Sequence, residues 1–188
     1  EQLYMAKLAG LRVPETIVGS NSDEFLQLKN REKITKPISN LFTVYHEGYV
    51  YYSYVKEVLD NDLDKRTKNF FPSLIQMKVN RKYELRIFFF NKVLFPMAIF
   101  SNDKNNVDIR EKNQKNKKRF VPFKLNNEIS EKIFKFVDIS GLSTGSIDMI
   151  IDEDDNYYFL EVNPCGQFDY LNKYCNYYIE KEIANFFT

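Results

Sequence analysis

Gly145-Ser-Ile-Asp148-Met-Ile-Ile-Asp152 and Tyr157-Tyr-Phe-Leu-Glu161-Val-Asn163-Pro164 are two apolar runs separated by the acidic residues Glu153-Asp-Asp-Asn156. Short runs rich in Ile, Val, Tyr and Phe, split by Asp and Asn, read as a β-hairpin. Opposed positions in an antiparallel pair keep a constant sum. A four-residue turn therefore sets Asp152 against Tyr157, Ile150 against Phe159 and Asp148 against Glu161. Two carboxylates then stand side by side, about 4.5 to 5.5 Å apart at Cβ, which destabilises a sheet unless something neutralises them. Asn163, two residues past Glu161, returns to the same face with an amide oxygen. Two carboxylates and an amide, without His or Cys, describe a Mg²⁺ or Mn²⁺ site that leaves positions open to water and phosphate. Two alternatives stand beside that reading: a shifted register, or one acid protonated at a raised pKa.

Working outward, Ser73 to Val79, Tyr83 to Phe90 and Val93 to Phe100 are three apolar or alternating runs, and the last two, joined at Asn91-Lys92, read as a hairpin in a largely antiparallel sheet. Glu84, Arg86, Phe88 and Phe90 share one face of their strand. An arginine among phenylalanines is costly unless an anion meets it, and its planar fork suits phosphate or carboxylate. The competing reading is a salt bridge to Glu84. Lys36, in Ile34-Thr-Lys-Pro37, ends a further strand and either meets a phosphate or reaches solvent.

Gln2 to Leu11 reads as a helix stopped at Gly10, Ser20 to Asp23 as the N-cap of a second, Leu125 to Ile139 as a third stopped at Gly141, and Tyr174 to Phe187 as a closing helix. Tyr45 to Tyr54 alternates as one strand. Residues 60 to 70 form a polar connector at the lobe boundary, and residues 102 to 119, with seven Lys and Arg, a solvated insertion.

At roughly 150 residues per domain, 188 residues make one domain or two small lobes. A hydrophobic content of 44% supports a packed core, and 27 basic against 26 acidic residues gives no global reason to expect nucleic acid. No stretch approaches the about 18 apolar residues of a membrane helix. Two cysteines are too few for a disulfide framework, which fits a reducing, cytoplasmic setting. His46 is the only histidine, so chemistry falls to Asp, Glu, Lys and Arg.

Taken in order, Ile34-Thr-Lys36-Pro37, Ser73-Leu-Ile-Gln76-Met77-Lys78-Val79, Glu84-Leu-Arg86, Gly145-Ser-Ile-Asp148 and Phe159-Leu-Glu161-Val-Asn163-Pro-Cys-Gly166-Gln-Phe168 resemble the ATP-grasp carboxylate ligases along nearly the whole chain. With Phe71-Pro-Ser73, the last motif is closer to the graspetide (microviridin-type) peptide maturases of GRASP-with-SPASM systems. The resemblance implies an α+β fold in which two lobes with largely antiparallel sheets grip ATP between them. It divides the chain into a partial central lobe, 1–74, and a C-terminal lobe, 75–188, with the family's N-terminal lobe outside these residues.

By the same resemblance, Asp148, Glu161 and Asn163 correspond to ligands of two Mg²⁺ ions, with Mn²⁺ as the alternative. Arg86 corresponds to the γ-phosphate contact and Lys36 to a lysine on the ATP phosphates. Gln76, Met77, Lys78 and Val79 correspond to the segment that holds adenine largely through its backbone, and Arg110 to a second arginine near the reacting phosphate. The implied reaction phosphorylates Asp or Glu side chains of a precursor peptide with a leader and a Thr/Glu-type core, then joins them to Thr, Ser or Lys as esters or amides. Neither nucleic acid nor membrane is an expected partner, and a homodimer is among the expected arrangements. The alternatives are a glutamate or amino-acid ligase acting on a protein tail, and a nucleotide- or peptide-binding module without turnover. Residues 37 to 48 hold a single glycine, Gly48, where the family's phosphate lid is often glycine-rich.

Overall fold

The computed structural model describes residues 1–38, 43–52, 55–64, 69–101 and 118–188. They form two compact units, one of residues 1–13, 80–101 and 118–188, the other of the described residues between 14 and 79. The cut expected at 74/75 is corrected: it falls inside an unbroken strand, Asn69–Met77, and the first thirteen residues pack with the C-terminal part of the chain. Arg110, and most of the 102 to 119 insertion, lie outside the described residues.

The first unit opens with α1 (Gln2–Leu8), past which Gly10 takes a φ of 86°. In the second unit β1 (Thr16–Asn21) leads into a 3₁₀ helix, Ser22–Leu28, whose N-cap Asn21 accepts a 2.9 Å bond from the Asp23 N–H. β2 (Lys33–Lys36) follows. Of residues 45 to 54, read as one strand, 45 to 52 instead belong to a hairpin of β3 (Thr43–His46) and β4 (Tyr49–Tyr52), and 53 and 54 lie outside the described residues. Glu47 and Gly48, both at positive φ, make its two-residue turn. β5 (Lys56–Glu57), α2 (Asp60–Asp64) and β6 (Asn69–Met77) complete this unit. Its four-stranded antiparallel sheet runs β1-β6-β2-β5. Phe25, Leu28, Val58, Leu63 and Ile75 form its core.

The first unit continues with β7 (Arg81–Phe90), β8 (Val93–Ser101), β9 (Lys118–Pro122), α3 (Asn127–Ser140), β10 (Thr144–Asp152) and β11 (Tyr157–Asn163). The closing helix is two: α4 (Asp169–Cys175) and α5 (Ile179–Phe187), separated by left-handed residues Asn176 and Tyr178. A five-stranded antiparallel sheet runs β11-β10-β7-β8-β9. Its period-2 pattern sends Leu85, Ile87, Phe89, Ala98, Ile147, Met149, Ile151 and Phe159 to one side.

Against that side α3 lays Ile129, Ile133, Phe136 and Val137, at helical spacing. Each such side chain contributes roughly 1.5 to 3 kcal/mol on burial. The Asn126 side chain caps α3 through a 2.8 Å bond from the Ile129 N–H, and Gly141 ends it in the left-handed region. α1 fills the rest of the layer with Ala6. The N-terminal segment also covers the outer edge of β11: Arg12 bridges Tyr158, the Phe159 N–H donates to the Arg12 carbonyl at 2.8 Å, and the Val162 N–H to Gln2 Oε1 at 2.7 Å. No helix among the described residues is long and apolar enough to cross a membrane.

Candidate phosphate and cation face

The sheet face turned away from α3 carries the charged residues. Asp148 lies directly opposite Glu161 on β11 and directly opposite Arg86 on β7, so Arg86, Asp148 and Glu161 make one row across three strands. Adjacent strands lie about 4.8 Å apart, which makes the row about 10 Å long. The register reaches this pairing by an unexpected route. Tyr157 opposes Ile151 rather than Asp152, and Phe159 opposes Met149 rather than Ile150. A bulge at Leu160 then takes up one residue, so that Glu161 meets Asp148 as expected. The bulge leaves Phe159 in the core and Glu161 on the opposite face.

Arg86 donates from Nε to Asp148 Oδ1 at 2.8 Å and from Nη2 to Oδ2 at 2.7 Å, a bidentate pair. The competing sequence reading, Arg86 paired to Glu84, is corrected: Glu84 bonds Arg81, two strand positions beyond its neighbour. Hydrogen bonding to Asp148, with the charges of Asp148, Glu161 and Glu84 adding to it, holds the Arg86 pKa above its ordinary value, against the desolvation that opposes it. The guanidinium thus answers the like-charge problem posed by Asp148 and Glu161.

Asn163 faces Ser146 on the next rung. Its Oδ1 accepts from the Cys165 N–H at 3.0 Å, which turns the chain back over β10. Gly166 completes that turn. A Cβ there would lie 2.3 Å from Ser146 Oγ and 2.5 Å from the Ser146 N, so only glycine allows the approach. No three His, Cys, Asp or Glu side chains cluster among the described residues, and the donor set is two carboxylates with one amide. That hard-oxygen set fits Mg²⁺ or Mn²⁺ in its chemistry, and both Asp148 oxygens here accept from Arg86.

Aromatic side chains wall the face. Phe168 packs on Phe88 at 5.2 Å and Tyr177 on Phe95 at 5.7 Å, closing one end. Along the β9 side, Phe120, Tyr170 and Tyr174 meet with ring centroids 4.5 to 4.9 Å apart. Burial, then the neighbouring Tyr174, pushes the Tyr170 phenol up to about 12, against the opposing charge of Arg86. Sequence reasoning missed this wall. Its one readable signal is the i, i+4 spacing of Tyr170 and Tyr174.

The remaining candidates sit in the second unit. Lys36 closes β2 opposite Leu74 and is half-buried. Gln76 is only 1% exposed, and its Nε2 donates to Thr16 Oγ1 at 2.7 Å. The Met77 N–H donates to the Glu15 carbonyl at 2.9 Å and the Lys78 N–H to the Glu32 carbonyl at 3.0 Å. The Lys78 ammonium pairs with Glu57 at 2.6 Å and Glu32 at 3.8 Å. Val79 follows, at the end of the stretch Pro14–Val79.

No protein-family model matches the sequence, and no curated protein does. Solved structures do. The macrocyclase MdnC bound with precursor peptide MdnA, from Microcystis aeruginosa MRC, is 28% identical with a TM-score of 0.82, over 98% of this chain and 57% of that one. A RiPP-associated ATP-grasp ligase of Chryseobacterium gregarium, in complex with ADP and a leader and core peptide, is 26% identical with a TM-score of 0.78, over 92% and 53%. The ATP-grasp ligase PsnB, complexed with a phosphomimetic variant of a minimal precursor, Mg and ADP, shares the fold at 17% identity and a TM-score of 0.73, over 98% and 55%. The chain spans a little over half the length of these proteins. The chain therefore has the fold of the ATP-grasp ligases, and in sequence it is similar to the macrocyclase MdnC and to the RiPP-associated ligase of Chryseobacterium gregarium.

Proposed function

We propose that the chain is part of an ATP-dependent ligase that activates Asp or Glu side chains of a ribosomally made precursor peptide and joins them to Thr, Ser or Lys side chains. The observation that carries this reading is the row Arg86–Asp148–Glu161, with Asn163 on the next rung, on one sheet face of an ATP-grasp fold. The γ-phosphoryl group of ATP passes to the carboxylate, giving an acyl phosphate and ADP. The hydroxyl or amine then attacks the carbonyl carbon, phosphate leaves, and the nucleophile's proton goes to solvent.

Asp148, Glu161 and Asn163 hold one or two Mg²⁺ ions, or Mn²⁺, which when bound neutralise the charge on the transferring phosphoryl group. Arg86, charged at every accessible pH, meets the same phosphoryl oxygens. In the second unit Lys36 meets ATP phosphates, and the segment Gln76 to Val79 holds the base. With the Met77 and Lys78 N–H groups already bonded, the backbone contact to adenine falls to Val79 and to the segment's carbonyls. Gln76 acts through its buried bond to Thr16, which fixes the segment, rather than through nucleotide contact. Arg110 remains a proposed second arginine at the reacting phosphate.

The partner is a peptide with a leader and a Thr/Glu-type core, the setting is the cytoplasm, and a homodimer is the assembly to look for. Mass spectrometry of a Thr- and Glu-containing peptide incubated with the full-length protein, ATP and Mg²⁺ tests the reading. Loss of one water per linkage supports it. Gain of a glutamyl residue would replace it with a tail ligase, and an unchanged peptide without ATP consumption with a binding module.

A further inference from the structure

The sheet face that carries Arg86, Asp148 and Glu161 is roofed over its other half. Phe120 lies directly opposite Ile99, and Ile99 directly opposite Glu84, so Phe120 shares that face with Arg86. α4 lies against β8 and β9 there, with Tyr170 and Tyr174 on Phe120. On that half Met97 and Ile99 are buried, and Met97 is the residue opposite Arg86 on β8. Arg86, with its side chain 38% exposed, therefore stands at the border between the roofed half and the open one.

Two groups at this border have hydrogens to give. The Arg86 guanidinium spends Nε and Nη2 on Asp148. Both Nη1 hydrogens, on the side of the planar fork away from Asp148, are left without a partner among the described residues. From α4, Tyr170 sets its ring against Phe120 at 4.8 Å and Tyr174 at 4.9 Å, and it remains 37% exposed. Its hydroxyl bonds no described residue, and the cation whose charge bears on the phenol is Arg86. The ring contacts need no hydroxyl, since a phenylalanine would make them equally well. Burial, then Tyr174, keeps the phenol protonated up to about 12, so near neutrality it is a donor. A phenol and a guanidinium beside each other, both with hydrogens unspent, suit the two oxygens of a carboxylate.

We propose that Tyr170 is a substrate-binding residue, whose hydroxyl donates to the Asp or Glu carboxylate of the peptide while that carboxylate lies against Arg86. The inference deepens the ligase reading above and rests on it. It gives the row two ends, with the cation and nucleotide phosphates toward Glu161 and the peptide carboxylate toward α4. Arg86, between them, then meets both partners of the phosphoryl transfer, and Tyr170 holds the one that attacks.

Tyr170→Phe in the full-length protein tests it, because it removes the hydroxyl and keeps the ring. The probes are a Thr- and Glu-containing peptide and the same peptide with Gln in place of Glu, titrated by calorimetry onto protein loaded with Mg²⁺ and ADP. The wild type should bind the Glu peptide more tightly than the Gln peptide. Tyr170→Phe should weaken the Glu peptide roughly tenfold and the Gln peptide no more than about twofold, with ADP affinity and melting temperature unchanged. Unchanged binding of the Glu peptide overturns the inference. Equal weakening of both peptides, or weakening with a lower melting temperature, overturns it as well, since each marks a structural phenol. Weaker ADP binding gives the hydroxyl to a phosphate and takes it from the peptide. Peptide kinetics followed by mass spectrometry separate the two levels. A wild type and a Tyr170→Phe that form linkages with equal kcat/KM remove only the Tyr170 role. A wild type that neither prefers Glu to Gln nor consumes ATP removes the ligase reading with it.

Discussion

Phe159 and Glu161 are two residues apart on β11 and lie on opposite faces of its sheet, Phe159 in the core and Glu161 beside Asp148. In a regular strand they would share a face. The residue that separates them is Leu160, which has no partner on β10.

Deleting Leu160 should therefore leave both neighbours where they are, because Phe159 and Glu161 would then alternate directly. The expected protein folds, loses about 1 kcal/mol from the half-buried leucine, and binds Mn²⁺ within a few-fold of the wild type. A regular, unbulged register predicts the reverse: the deletion would drive the Glu161 carboxylate into the core, and neither folding nor Mn²⁺ binding would survive. Urea denaturation and an Mn²⁺ titration decide between them.

The bidentate Arg86–Asp148 pair gives two substitutions opposite signs. Asp148→Asn removes ligand charge and weakens a partly exposed charge-assisted bond. Stability should fall by about 1 to 2 kcal/mol and Mn²⁺ binding at least about tenfold. Arg86→Met releases both Asp148 oxygens and takes a positive charge away from the ion. Free Mn²⁺ should then bind roughly threefold or more tightly, while ATP turnover is lost. Weaker binding of free Mn²⁺ in Arg86→Met would show that the guanidinium orders the carboxylate for the metal rather than competing with it.

The pairing of Asp148 with Glu161 was legible in the sequence, but for a reason only partly right. The turn begins one residue earlier than the constant-sum argument assumed, and the bulge at Leu160 restores the difference. A leucine fits either face, so nothing in Phe159-Leu-Glu161 marks an extra residue. Likewise Tyr49 to Tyr54 alternates so regularly that the Glu47-Gly48 turn just before it passed as strand. β9 was invisible because Lys118-Arg-Phe-Val-Pro122 takes its strand character from pairing with β8, a non-local contact. The break between α4 and α5 falls partly on Tyr178 at positive φ, a residue type that gives no stop signal. Resemblance supplied the candidates in the second unit, whereas local chemistry there offered only a lysine at a strand end.

Gly166→Ala should be among the costlier single-atom additions in the chain. Its Cβ would meet Ser146 Oγ at 2.3 Å, the Ser146 N at 2.5 Å and the Gly145 carbonyl carbon at 2.8 Å. Overpacking of this kind costs about 1 to 3 kcal/mol. Two of the three contacts are backbone, so adding Ser146→Ala should not rescue the variant. Full recovery in the double mutant, measured by urea unfolding, would mean that the turn yields at its backbone and that Oγ alone sets the clash.

Lys33 and Asp60 set the acid limit of the second unit. The Lys33 ammonium is 2% exposed and bonds Asp60 Oδ1 and, at 3.1 Å, the Arg31 carbonyl, whereas Asp60 is 28% exposed. The Lys33 bond, then the Asn30 N–H, holds the Asp60 carboxyl below its ordinary 3.8. A lowered folded-state pKa stabilises the fold at pH above the ordinary value, and that stability drains away as pH falls through the lower one. Asp60→Asn should accordingly melt at a lower temperature than the wild type near neutrality, because it leaves an ammonium buried against a neutral amide. The two melting curves should converge as pH drops below 3.8. Lys33→Met should cost less than Asp60→Asn, since the more exposed carboxylate keeps the Asn30 N–H and gains water. Melting curves for wild type and Asp60→Asn that stay parallel through the acid range would place the acid sensitivity elsewhere.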